Sequence, residues 1–324
     1  MIPTGILLLS MGCFSSPQLM LSPGSGWVAY WNVWELTVLP TETDPKIEPG
    51  GSHLVYIPAD EEVEPRNLFL FLPGTFGAPS QYSDFLKAAA RHGQHVIGLS
   101  YINHQATRPI CNTGPDRHCH GELRAEIILG LPSSPHIEVD RANSIEGRLV
   151  SLLRKLDADY PEQGWNRYLH EDSPRWDRIA VSGYSQGAGH AAYIAHHMRV
   201  LKAGLYSGPG DVNEPLGSRP AAWLDATPLT PPSRIAGFTH RHDEVARFDR
   251  VRANWSALGL TGASIDIDRE APTSTRSRQY HTNLPAAKTN PYANHASTIR
   301  DLYIPRDEHN HPLFLNIWRE VSWP

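Results

Sequence analysis

The sequence predicts an α/β protein built on a mostly parallel sheet, and three observations carry that prediction. Short apolar runs alternate along the chain with segments of helical periodicity, the pattern of strand-helix-strand units. The run Asn67-Leu-Phe-Leu-Phe-Leu72 has no polar alternation, as expected of a strand covered on both faces. The 324 residues, 40% hydrophobic and 19% charged, have the composition of an ordinary globular protein. The strand pattern never restarts and no internal repeat is visible. We therefore expect one domain over residues 23–324, with insertions at about 103–142 and 269–294.

Each element follows from local pattern. Alternation in Trp31-Asn-Val-Trp-Glu-Leu-Thr-Val-Leu39 predicts a first strand, and the turn Pro49-Gly50-Gly51 leads into a second, His53–Ile57, paired with it as a hairpin. After the acidic loop from Asp60 to Pro65 comes the apolar run 67–72. Pro73-Gly74-Thr75-Phe76-Gly77 then breaks the chain before a helix from about Ser80 to Arg91, with Ser80 at the N-cap position. His95–Tyr101 is the next strand, and the crossover between these two should be right-handed. Residues 103–142 interrupt the rhythm with a long excursion, of the kind that serves function in a compact domain. Asn143–Leu156 returns to helix, with Ile145, Leu149, Leu152, Leu153 and Leu156 on one face. Further strands are expected at Ile179–Gly183, Leu201–Ser207, Arg234–Thr239 and, last, Ala263–Ile267. Helices are expected at about Phe248–Leu258 and Leu313–Trp318, and 269–294 reads as a polar loop.

Composition and processing signals narrow the function classes. A net charge of −5 with no evident basic face argues against a nucleic-acid partner. No apolar run is long enough to cross a bilayer. Residues 1–22 hold a short apolar run, Ile6–Leu9, and a weakly lipoprotein-like Ser10-Met11-Gly12-Cys13, but lack the positive start of an export signal. Both an export segment and a disordered tail fit. If Cys13 leaves or is lipidated, Cys111 and Cys119 remain, flanking a turn-rich loop that a disulfide could close. That count suits an oxidising, extracytoplasmic setting, secreted or lipid-anchored; otherwise the chain is cytoplasmic. His118 and His120 beside Cys119 match no structural zinc spacing, and neither a metal nor a cofactor is called for.

The chemistry centres on Gly183-Tyr184-Ser185-Gln186-Gly187. This G-x-S-x-G pattern lies between the apolar strand and a small-residue helix beginning near Ala188, the setting of a nucleophile elbow. Glycine at 183 and 187 is needed because side chains there would collide with the neighbouring strand and helix. A serine hydroxyl needs a base to take its proton and an acid to orient that base. Open α/β sheets gather such groups in loops at the carboxyl ends of strands. Asp243, after a strand, and His295, beyond the last strand, complete the chain order Ser, Asp, His. Asp211 also follows a strand and stays open as the acid, and His281 as the base. Glu244 reads as a solvated neighbour.

The elbow, the Pro73–Phe76 loop, the strand ending at Asp243 and the late His295 together resemble the α/β-hydrolase superfamily over about residues 45–320. The resemblance implies a three-layer fold with a sheet of about eight strands and helices on both faces. It assigns Ser185 as nucleophile, Asp243 as acid and His295 as base. The first loop departs from the common His-Gly pair, with Pro73-Gly74 in its place. Oxyanion donors are expected from the backbone of Gln186 and of Thr75, or Phe76 if the loop is shifted. The expected reaction is hydrolysis of a small-molecule or polymer ester through an acyl-enzyme. A peptidase, an acyltransferase or a catalytically silent binding protein on the same fold are the alternatives. Tyr101, Tyr184 and Tyr206 could line the site or simply pack. Oligomeric state is not legible.

Overall fold

A computed structural model describes residues 25–26, 28–30, 32–59, 67–272 and 276–324. The export-segment reading of residues 1–22, Cys13 included, lies outside these residues, as do Trp31 and the acidic loop from Asp60 to Pro65. Ten strands form one sheet: β1 (Val28–Tyr30), β2 (Val33–Val38), β3 (His53–Pro58), β4 (Leu68–Leu72), β5 (His95–Gly98), β6 (Ile179–Tyr184), β7 (Lys202–Tyr206), β8 (Ile235–His240), β9 (Ile265–Asp266) and β10 (Gln279–Thr282). Their spatial order is β1-β2-β3-β5-β4-β6-β7-β8-β10-β9. The first three strands and β5 pair antiparallel. From β5 to β9 every pairing is parallel.

The period-two alternation of β4 sets the layers. Leu68, Leu70 and Leu72 enter one core and Phe69 and Phe71 the other, all five fully buried. On the phenylalanine side lie α1 (Ser83–Arg91) and α8 (Leu315–Ser322). There the Phe85 ring meets Phe69, Phe71 and Trp318 edge-on at 5.5, 5.4 and 5.2 Å between centroids. On the leucine side lie α3 (Cys119–Leu129), α4 (Ile145–Asp159), α5 (Gln186–His197) and α6 (Phe248–Ala257). The predicted apolar face of α4 is buried throughout, and Ser144 caps its first turn by accepting the Gly147 N–H at 3.0 Å.

Four expectations need correcting. The sheet has ten strands rather than about eight, because β1 adds to the first hairpin and β10 forms inside the expected loop 269–294. Ala263–Ile267 is thus not the last strand: only Ile265 and Asp266 pair, at the sheet edge, with β10 inserted between them and β8. Ser80 is not a helix cap. It lies in a 3-10 turn, Pro79–Tyr82, and the Asp301 carboxylate accepts the first amides of α1, from Ser83 at 2.8 Å and Asp84 at 3.2 Å. Residues 103–142 are not a plain loop, since they fold into α2 (Thr107–Cys111) and α3.

The two insertion helices are joined by a disulfide between Cys111 and Cys119, with Cα atoms 5.5 Å apart. Asn213 fastens the intervening turn by donating to the carbonyls of Gly114 and Asp116 at 2.8 and 3.0 Å. Glu126 orders the rest of the insertion, accepting backbone N–H groups from Ser133, Ser134 and Val139. No helix among the described residues is long and apolar enough to cross a membrane.

Candidate active site

The loops after β4, β6, β7 and β8 leave the sheet at its carboxyl edge, and the candidate residues sit on them. Ser185 follows β6 in a sparsely populated backbone conformation, φ 55° and ψ −115°, which costs about 1–3 kcal/mol. The surroundings hold it there. Its N–H donates to the Tyr206 carbonyl at 2.8 Å and its carbonyl accepts from Gly189 at 3.3 Å. A methyl group on Gly183 would run into the Gly187 carbonyl, and one on Gly187 into the Leu72 carbonyl. These close approaches are why the elbow needs both glycines.

His295 is carried by a short helix, α7 (Ala293–Ser297), and is 5% exposed. Its Nε2 lies 2.9 Å from Ser185 Oγ, and its Nδ1 lies 2.9 and 2.8 Å from the two Asp243 oxygens. A carboxylate only accepts, so Nδ1 carries the proton and Nε2 is left with a lone pair facing the serine hydroxyl. Asp243 is itself pinned. Its Oδ1 accepts the N–H groups of Val245 and Ala246 at 2.9 and 2.7 Å, and Thr239 Oγ1 lies 3.4 Å from Oδ2. Tyr184, whose hydroxyl is pushed up by burial and then by Tyr82 and Asp243, leans its ring on the imidazole at 4.9 Å.

The structure separates the alternatives. Asp211 does not face His295. Its oxygens accept from Arg124 Nε and Nη2, both at 2.6 Å, and from Trp223 Nε1 at 3.1 Å. Burial alone would raise the Asp211 carboxyl, but the Arg124 guanidinium brings it well below the usual carboxylate range. His120, 3.6 Å away, is pushed towards its neutral form by burial, so Arg124 is the partner that matters. His281 lies on β10 with Nδ1 2.9 Å from Ser264 Oγ, and it is His295 that meets Ser185.

The loop after β4 presents Thr75 to the same cleft. Thr75 Oγ1 donates to Gln186 Oε1 at 2.7 Å, linking this loop to the first residue of α5. Gln186, as that first residue, has no intrahelical acceptor for its N–H. Phe76 departs from expectation: its N–H donates to the Asn103 carbonyl at 3.1 Å, and its side chain, at φ 55°, is 75% exposed. The Phe76 N–H is therefore already committed to the Asn103 carbonyl. Gly74 has to be glycine, since a methyl group there would crowd the Tyr184 ring.

One supporting residue, Asn103, escaped the sequence reading, and three that it named gain definite partners. Asn103 donates to both the Gly74 and Gly77 carbonyls at 2.8 Å and so holds the loop from both ends. Tyr101 donates to the Pro73 carbonyl at 2.6 Å and is a packing residue. Tyr206, buried and 2.6 Å from Ser322 Oγ, is another. Glu244 is not merely solvated, because it accepts the N–H groups of Asn294 and His295 at 3.2 and 3.0 Å and anchors the backbone that carries the imidazole. A lone Asn after a strand, or a second carboxylate beside the first, carries no periodic signal.

The cleft is a cavity of about 200 Å³ reached by Thr75, Ser185, Gln186 and Ser207, with Ala106, Pro109, Val245 and Ala246 as apolar wall. Arg108, Arg124, Arg247, Arg250 and Asp211 also line it. Among the described residues no group of three or more His, Cys, Asp or Glu side chains could hold a metal. No protein-family model matches this chain, and no curated protein matches it either.

Proposed function

We propose that this protein is a serine hydrolase of α/β-hydrolase type that cleaves a carboxylic ester through an acyl-enzyme. The observation that carries the reading is the unbroken chain from Ser185 Oγ through His295 to Asp243, with links of 2.9 and 2.8 Å, on a serine held at positive φ. Ser185 Oγ attacks the carbonyl carbon while its proton passes to His295 Nε2. The imidazolium that forms is stabilised by the Asp243 charge. The negative charge on the carbonyl oxygen is met by the backbone N–H groups of Gln186 and Thr75, each worth about 3–4 kcal/mol in such a role. His295 then returns its proton to the leaving alcohol, and water repeats the sequence on the acyl-enzyme.

The neighbouring walls support a small substrate. A cleft of about 200 Å³ beside Ser185 has room for a short acyl group. The Cys111–Cys119 bridge supports an extracytoplasmic location, where such bonds persist.

Incubation with a fluorophosphonate probe and turnover of p-nitrophenyl butyrate test the proposal. Labelling should map to Ser185, and Ser185→Ala should abolish both labelling and turnover. Folded wild-type protein that takes up no probe and releases no p-nitrophenol would refute it.

A further inference from the structure

The wall of the cleft opposite the elbow carries more positive charge than its own partners neutralise. Arg108 comes from α2, and Arg247 and Arg250 from the start of α6. Two carboxylates answer these three guanidinium groups: Glu214 pairs with Arg108 and Arg250, and Asp249 pairs with Arg247. Arg124 is already balanced by Asp211. One positive charge is therefore left over on a surface shared with Ser185.

The hydrogen-bond partners identify where it is available. Arg108 commits Nε and Nη2 to Glu214 Oε1 at 3.1 and 2.6 Å and Nη1 to the Val245 carbonyl at 3.1 Å. Arg250 commits only Nη1, at 2.5 Å, to the same Glu214 oxygen that Arg108 already occupies. Its Nε and Nη2 have no protein acceptor among the described residues, although the side chain is only 15% exposed. A guanidinium held by one corner, with its remaining donors on a cleft, is pre-organised for a planar two-oxygen acceptor.

We infer that the substrate is an ester bearing a carboxylate a few bonds from the scissile carbonyl, and that Arg250, with the field of Arg108 and Arg247, selects it. The inference rests on the serine-hydrolase reading of Ser185. Ser185 and Arg250 line the same small cleft, so a short linker suffices to place a carbonyl at one and a carboxylate at the other. The apolar wall of Ala106, Pro109, Val245 and Ala246 suits the connecting methylenes. The carboxylate sits on either the acyl or the alcohol side of the ester, and experiment separates the two.

Two matched pairs of esters decide this. On the acyl side, p-nitrophenyl hydrogen glutarate is compared with p-nitrophenyl butyrate. On the alcohol side, 4-acetoxybenzoate is compared with phenyl acetate. We expect kcat/KM for the charged member of one pair to exceed that of its neutral partner by about tenfold or more, as hydrogen bonds to a charged group allow. The favoured pair identifies the side. The preference should shrink with added salt, and in Arg250→Gln the ratio should fall towards one. Glutarate should also slow fluorophosphonate labelling of Ser185 where neutral glutaramide does not. Turnover of the neutral esters with no preference in either pair would overturn the inference and leave the hydrolase reading intact. A ratio unchanged in folded Arg250→Gln would overturn it equally. Failure of every ester together with an unlabelled Ser185 would remove both.

Discussion

Replacing Asp243 by Asn tests the proposed acid through the tautomer of His295. Oδ1 of Asp243 accepts two backbone N–H groups, from Val245 and Ala246 at 2.9 and 2.7 Å. An asparagine must keep its carbonyl oxygen there, because an amide NH2 facing two donors would leave all of them unpaired. Its NH2 is then forced into the place of Oδ2, 2.8 Å from His295 Nδ1. Oδ1 stays 2.9 Å from Nδ1, but the amide hydrogens at the Oδ2 place would clash with a proton on Nδ1, so Nδ1 turns acceptor and the imidazole proton moves to Nε2. The protonated Nε2 faces Ser185 Oγ at 2.9 Å and cannot take the hydroxyl proton. The shape of the site survives while the base is lost. The expected loss is about 10⁴-fold in kcat, equivalent to about 5.4 kcal/mol of barrier. Initial-rate kinetics on p-nitrophenyl butyrate measure it, with circular dichroism to show that the fold is retained. Activity within tenfold of wild type in a folded Asp243→Asn protein would refute the tautomer argument and, with it, the role of Asp243.

Three further outcomes follow from other contacts. Asn103→Ala removes both donors that brace the loop carrying Thr75, so kcat should fall by about 10- to 100-fold with little change in KM; a fall below twofold would show that the loop holds itself. Cys111→Ser with Cys119→Ser should lower stability by about 2–3 kcal/mol, a Tm drop of roughly 3–5 °C in a chain of this length, and a reducing agent should lower the wild-type Tm similarly while leaving the double variant unmoved. The Asp301 carboxyl is raised from 3.8 to about 7 by burial and by Asp84, so the folded state binds a proton more tightly than the unfolded one. That contribution is complete below pH 3.8 and is lost as pH rises to about 7. Tm measured across this interval should decline less steeply in Asp301→Asn than in wild type, and an unaltered slope would count against it.

What could be read from the sequence depended on whether a residue's partners are local. The buried strand Leu68–Leu72, the apolar face of α4 and the elbow are written in short-range patterns, and each lies where those patterns put it. The places of Ser185 and Asp243 were legible because strand ends define the edge of a parallel sheet, whereas His295 comes on helix α7 beyond the last strand. Helix α3 was not, because its buried side includes His120, Arg124 and Glu126: Asp211, far along the chain, answers Arg124, and the backbone N–H groups of the following loop answer Glu126. Such a helix has no apolar stripe to detect. Strand β10 escaped for a similar reason: Gln279, His281 and Thr282 look like loop residues, and only the flanking strands make them sheet. The loop after β4 was half legible. Its glycines mark a turn, but nothing local says that the Asn103 carbonyl takes the Phe76 N–H.

Asp211 and Asp243 show how far partners outweigh position. Both follow a parallel strand, both are almost fully buried, and the sequence offers no pattern that ranks them decisively. Arg124, arriving from α3, supplies two N–H groups to Asp211 and neutralises it. A carboxylate so paired has little charge left with which to stabilise an imidazolium, whatever its distance. Among the described residues Asp243 has no cationic side chain as a partner. It accepts only neutral N–H and O–H groups besides His295, so its charge stays available to that ring. Asp211 nonetheless reaches Ser185 by another route. By holding Arg124 it positions the remaining guanidinium nitrogen 3.2 Å from the Gln186 carbonyl, in the first turn of the helix that Ser185 opens. The insertion therefore does two things at once: it removes one aspartate from competition for His295, and it spends that aspartate on steadying the elbow.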